Sequence, residues 1–118
     1  MKDFPAIAED LHKGMEALAA GSPGTMTAFS ALMAESAGKE GTTLSIKTKE
    51  LIALAIAISL RCDGCIAHHA HSVLEQGTSR DELIETIGVA ILMGGGPSVV
   101  YGVEALQAYD QFVSKAAS

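Results

Sequence analysis

From Ile46 to Leu60 the chain is apolar almost all round. After Lys47, Lys49 and Glu50 it reads Leu51-Ile52-Ala53-Leu54-Ala55-Ile56-Ala57-Ile58-Ser59-Leu60. A helix of this kind has no polar face to turn to water, so it must be enclosed by other helices of its own chain or of neighbouring chains. The isoleucines would also suit a strand, but the length of the run and its alanine content favour helix. Ser45 stands at its head as an N-cap.

The punctuation around this helix predicts about six helices and no strand. Pro5 opens a first helix, with Ala8, Leu11, Met15 and Leu18 at helical spacing before Gly21. Gly21-Ser22-Pro23-Gly24 reads as a loop. Phe29, Leu32, Met33 and Ser36 mark a second helix that ends by Gly38, and Gly41 to Leu44 form another loop. After a bend at Arg61 to Asp63 a fourth helix runs to Gln76, with Gly77 at its C′ position. Ser79 and Glu82 form a capping-box pattern for a fifth, which carries Leu83, Ile84, Ile87, Ala90 and Ile91. Gly94-Gly95-Gly96 ends it, and Pro97 opens a sixth with Val99, Val103, Leu106 and Val113. The triple glycine follows a helix, with no Lys-Ser/Thr pair after it, so it reads as a helix–helix corner and not a phosphate loop. With 118 residues, no repeat and no long linker, residues 1–118 read as a single all-α domain.

Hydrophobic residues make up 48% of the chain and charged ones 19%, with mean hydropathy +0.29. That surplus on so short a chain predicts helical faces buried against other subunits, hence a homo-oligomer. A net charge of −6 with no basic cluster argues against nucleic acid and anionic lipid. The longest apolar run, Leu51 to Leu60, falls short of the ~20 residues that span a bilayer. The start Met1-Lys2-Asp3-Phe4-Pro5 lacks a basic region followed by a long apolar stretch, so a cytoplasmic location is expected.

Cys62 and Cys65 are the only cysteines. In a reducing compartment a close pair points to redox or metal chemistry, since so short a loop adds little stability by chain entropy. If Cys62 starts a helix, Cys62, Cys65 and His69 fall within about 60° of one another on its surface. His68 then lies at the edge of this stripe and His71 on the opposite side. A helix N-terminus favours thiolate, and bringing a thiol from ~8.5 to ~7 takes only about 2 kcal/mol. Two thiols three residues apart can close a disulfide with little motion, one attacking a substrate and the other resolving the product. His69 can take or return the proton. Glu50 is the odd residue of an apolar helix and requires a partner. If the third and fourth helices form an antiparallel hairpin, Glu50 and His69 differ in height by roughly 6 Å, a gap that a long side chain or one water can bridge.

On the residues alone a second class stays open, a non-catalytic helical oligomer whose Cys–His patch packs or holds a metal. Zinc is disfavoured because no second cysteine pair closes a tetrahedron. Haem attachment is excluded because Ile66, not histidine, follows Cys65. No cofactor and no metal is expected.

The pattern Glu-x11-Cys-x2-Cys-x3-His formed by Glu50, Cys62, Cys65 and His69 resembles the alkylhydroperoxidase D-like (AhpD-like) branch of the carboxymuconolactone decarboxylase family. The resemblance runs from about Phe29 to Phe112, and Met93 to Pro97 followed by Tyr101 is similar to members of this size. It implies an all-α fold assembled into trimers or hexamers, and a cysteine pair cycling between dithiol and disulfide. It further implies hydroperoxide or disulfide as substrate, with a thiol-donor protein as partner. It makes Cys65 the attacking thiol, Cys62 the resolving one, and Glu50 with His69 the proton relay. On the residues alone, Cys62 remains the rival attacker, being nearer the helix start. One departure is Gly64, where alkylhydroperoxidase D carries a histidine. The family's namesake activity, decarboxylation of a lactone acid, belongs to members that generally lack the cysteine pair.

Overall fold

The computed structural model describes residues 1–118, which form six helices and no strand. These are α1 (Phe4–Gly21), α2 (Pro23–Ser36), α3 (Ile46–Leu60), α4 (Asp63–Glu75), α5 (Arg80–Gly94) and α6 (Gly96–Ala116). The caps explain most of the boundaries. Asp3 accepts from the Ala6 N–H at 3.1 Å, and Ser45 from the Thr48 N–H at 3.1 Å. Ser79 and Glu82 form the reciprocal capping box expected of them.

Three local expectations are corrected. Only Ser22 separates α1 from α2, because Pro23, with its fixed φ and missing N–H, starts the second helix and draws Gly24 into it. Helix α4 takes in Asp63, expected as the last residue of a bend, with Cys62 as its N-cap, and it ends at Glu75 with Gln76 as its C-cap. Helix α6 begins at Gly96, one residue before Pro97. Two corners use unusual backbone. Arg61, the C-cap of α3, adopts a left-handed conformation at φ 57°, the only non-glycine residue with positive φ. Gly95, at φ 68° and ψ −149°, occupies a region that is essentially closed to side-chain-bearing residues.

Helix α4 lies at the centre, packed against α1, α3 and α6, while α5 closes the bundle against α3 and α6. The core joins Leu54 and Ile58 of α3, Ile66 and Val73 of α4, Leu83 of α5 and Phe4 of α1. Helix α2 packs on α1 and buries none of its residues. In α6 the buried stripe is Ser98, Gly102, Ala105, Ala108, Tyr109 and Phe112, while Val99, Val103 and Val113 face outward. Close approach of α5 is the reason. A Cβ on Gly102 would stand 2.6 Å from Cγ2 of Ile87, so only the small-residue side of α6 fits there. Tyr109 adds a buried hydrogen bond from its hydroxyl to the Thr78 carbonyl at 2.7 Å.

No helix is long and apolar enough to cross a membrane. The accessible surface is 6936 Å², against roughly 6,100 Å² expected of a compact monomer of this mass. Large apolar side chains are part of that surface. Ile52, Ile56 and Leu60 run along the outer side of α3, and Leu92 and Met93 are about four-fifths exposed at the end of α5.

Candidate active site

The turn from α3 to α4 carries the cysteines. The left-handed Arg61 reverses the chain, and Cys62 takes the extended backbone of an N-cap. Its Sγ accepts the Cys65 N–H at 3.2 Å, so a free donor of the helix start points at sulfur. Cys62 and Cys65 are joined by a disulfide, with their Cα atoms 5.2 Å apart. Both are partly exposed at one end of the bundle.

One turn further on, His69 meets Glu50 directly. His69 Nδ1 lies 2.6 Å from Glu50 Oε2, a shorter link than the height difference along the two helices implied, and no intervening water is required. Glu50 is buried, with 8% of its surface exposed, which accounts for a carboxylate on an otherwise apolar helix. A carboxylate only accepts, so the shared proton sits on Nδ1 and leaves Nε2 as the basic nitrogen. The far side of Glu50 opens on a polar crevice lined by Glu40, Ser72 and Gln76.

His68 and His71 lie outside this pair. The His68 ring packs edge-on against His69, with centroids 4.8 Å apart, and His71 stacks on Phe112 at 4.6 Å. Both line a cleft roofed by Leu11, Met15 and Met33 of α1 and α2. Although His68 is exposed by area, desolvation of its ring in this cleft, followed by repulsion from His69, pushes its pKa below the usual 6.5. The folded state therefore resists protonation that the unfolded chain accepts, and stability contributed above pH 6.5 is lost as pH falls through the lowered value. We expect His68→Gln to flatten the acid limb of thermal stability just below pH 6.5. Melting curves from pH 7.5 to 5 that fall in parallel for the two proteins would exclude this.

Two neighbours of the cysteines have contacts that only the fold shows. Gly64 faces α1, where a Cβ would stand 3.4 Å from a methyl of Leu11, so α1 occupies the space beside the cysteines. Asp63, between the cysteines, is paired with Lys2, 61 positions away. Nothing local in a chain records such a contact. No three His, Cys, Asp or Glu side chains are grouped to hold a metal ion.

Residues 23–108 match the carboxymuconolactone decarboxylase family. The chain belongs to that family. The fold agrees. A carboxymuconolactone decarboxylase family protein from Legionella pneumophila, with a crystal structure in the apo form, superposes with a TM-score of 0.89 at 38% identity, over 95% of this chain and 98% of that one. An uncharacterized protein from Cupriavidus necator is 35% identical over 92% of this chain and 94% of its own length. Another from Haemophilus influenzae is 36% identical over 74% of this chain and 75% of its own. The AhpD-like branch is consistent with this membership, and the family assignment accounts for the all-α bundle.

Proposed function

We propose that this carboxymuconolactone decarboxylase family member is a cysteine-based oxidoreductase that reduces alkyl hydroperoxides or disulfides. The observation that carries the proposal is a disulfide between cysteines three residues apart at a helix N-terminus, one turn from a histidine held by a buried glutamate. Structural packing gives no reason to place a buried carboxylate, an imidazole and two sulfurs together, whereas dithiol chemistry uses each of them.

In the reduced protein His69 Nε2 takes the proton of Cys65, with Glu50 orienting the imidazole. The Cys65 thiolate attacks the distal peroxide oxygen, the O–O bond breaks, and the alkoxide leaves as alcohol with the proton returned through His69. Cys65 is then a sulfenic acid. The Cys62 sulfur, stabilised by the α4 N-terminus, attacks it and water leaves. The sum is hydroperoxide plus two thiols giving alcohol, water and the disulfide. A donor dithiol, small or protein-borne, restores the pair by exchange and becomes a disulfide itself. No bound cofactor takes part. Such a cycle suits the cytoplasm, where reduced donors are kept available. Decarboxylation of a lactone acid would give the cysteine pair no task.

The outward apolar sides of α3, α5 and α6 support a homo-oligomer, which the family resemblance makes a trimer or hexamer.

The test is a thiol count on the fully reduced protein before and after one equivalent of an alkyl hydroperoxide. We expect both thiols to disappear, an intramolecular disulfide by mass spectrometry, one equivalent of alcohol, and recovery with dithiothreitol. Two free thiols after the oxidant, or one tightly held zinc per chain, would reject the proposal.

A further inference from the structure

The residue between the two cysteines, Asp63, works against them. It is the first residue of α4, so its carboxylate competes with a sulfur anion for the positive end of the helix and repels that anion besides. Reduced cysteines beside an uncompensated aspartate would hold their protons more firmly.

The structure supplies a compensating charge from the far end of the sequence. Lys2 Nζ lies 3.0 Å from both Asp63 carboxylate oxygens and 2.9 Å from Glu104 Oε1 of α6, and it sits 5.5 Å from the centre of the Tyr101 ring. Exposed ion pairs usually contribute little because two long side chains must be ordered to make them. Here the backbone is ordered already. The Lys2 carbonyl accepts from Gln111 Nε2 at 2.8 Å, the Phe4 N–H donates to Gln111 Oε1 at 2.9 Å, and the Phe4 ring is fully buried. Hydrogen bonds to Glu104, then to Asp63, push the Lys2 pKa up to about 12, so the cation persists across the range in which thiols titrate.

We propose that Lys2 is a positioning residue that sets the acidity of the Cys62–Cys65 dithiol by holding and neutralising Asp63. The inference rests on the thiol chemistry proposed above and adds its electrostatic control. Other charged groups belong to this region, first among them Arg61, the chain neighbour of Cys62. Glu104 shares Lys2, Asp10 of α1 borders the shallow cleft at Gly64, and His69 with Glu50 closes the far side. In general, a unit charge acting on a thiol over a separation on the order of 7 Å in a solvent-like medium is worth roughly half a pH unit of acidity.

The experiment is the pH dependence of iodoacetamide alkylation at each cysteine, followed by mass spectrometry on reduced full-length protein at low salt. Lys2→Met is expected to move the profile up by about half a unit, slowing alkylation at pH 7 roughly threefold. Lys2→Arg should restore it, high salt should shrink the shift, and Asp63→Asn combined with Lys2→Met should return the profile to that of wild type or below. Circular dichroism establishes that each variant is folded. An unmoved profile in folded Lys2→Met overturns the inference, as does a shift that survives intact in the double variant. If wild type fails to consume hydroperoxide while the Lys2 shift is present, the electrostatic control stands and the proposed activity falls. If hydroperoxide is consumed and the profile does not move, the activity stands and the role of Lys2 falls.

Discussion

Replacing His69 with glutamine is expected to slow the first reaction of the reduced cysteine pair by roughly 10²- to 10⁴-fold, the range spanned by a positioned proton-transfer group. Glutamine keeps much of the volume and can still hydrogen-bond Glu50, but it has no basic nitrogen. The loss should be confined to the rate of thiol oxidation by hydroperoxide or disulfide and should leave melting temperature nearly unchanged. Glu50→Gln is expected to cost less, because the imidazole remains and only its orientation weakens. The two variants together should cost about what His69→Gln costs alone, since the glutamate acts through the histidine. Cysteine variants divide the labour. Cys65→Ser should remove the fast first step, while Cys62→Ser should keep it and stop at a sulfenic acid. A fast first step surviving in Cys65→Ser, together with an unaffected His69→Gln, would transfer the attack to Cys62 and dismiss the relay.

The second large effect concerns stability and lies within a single helix. Leu54 and Ile52 are two residues apart on α3, yet Leu54 is fully buried and Ile52 is 46% exposed. Leu54→Ala should cost about 2–5 kcal/mol, through lost burial and the cavity left behind. That is a large share of the 5–15 kcal/mol typical of a whole domain. The loss should appear in urea unfolding at every protein concentration. Ile52→Ala should change the intrinsic stability of a chain by no more than about 0.5 kcal/mol. If α3 packs against a second copy, Ile52→Ala should also lower the unfolding midpoint as protein concentration is reduced, and light scattering should show weaker association. An Ile52→Ala loss equal to that of Leu54→Ala at all concentrations would place Ile52 inside the chain's own core. Wild type that is monomeric at micromolar concentration would remove the oligomer.

Much of the secondary structure was legible because its signals are local. Ser45, Ser79 with Glu82, Gly77 and the glycines at 94–96 act through hydrogen bonds and φ angles within a few residues, and α3 and α5 start where Ser45 and Ser79 predict. The loop expected over Gly21–Gly24 failed because glycine and proline suit a helix start as well as a turn. Spacing alone placed the cysteines and His69 on one side of α4, and the rarity of a carboxylate in an apolar helix marked Glu50. Their direct contact at 2.6 Å needed the α3–α4 hairpin, whose closeness depends on how Arg61 turns and how Leu54, Ile58 and Ile66 interlock.

What the sequence determined by itself, then, is the set of six helices and the N-caps at Ser45 and Ser79, all within the reach of a few helical turns. The tertiary structure alone decided which side of each helix is inside. Helix α3 is apolar on every side, so its periodicity could not choose between Leu54 and Ile52. In α6 the valines face outward, yet Gly102, Ala105 and Ala108 are buried, because Ile87 comes too close to Gly102 to admit a side chain there. The pairing of Lys2 with Asp63 was likewise decided in three dimensions. It joins charges 61 positions apart, and Coulomb attraction depends on distance in space and not on separation along the chain.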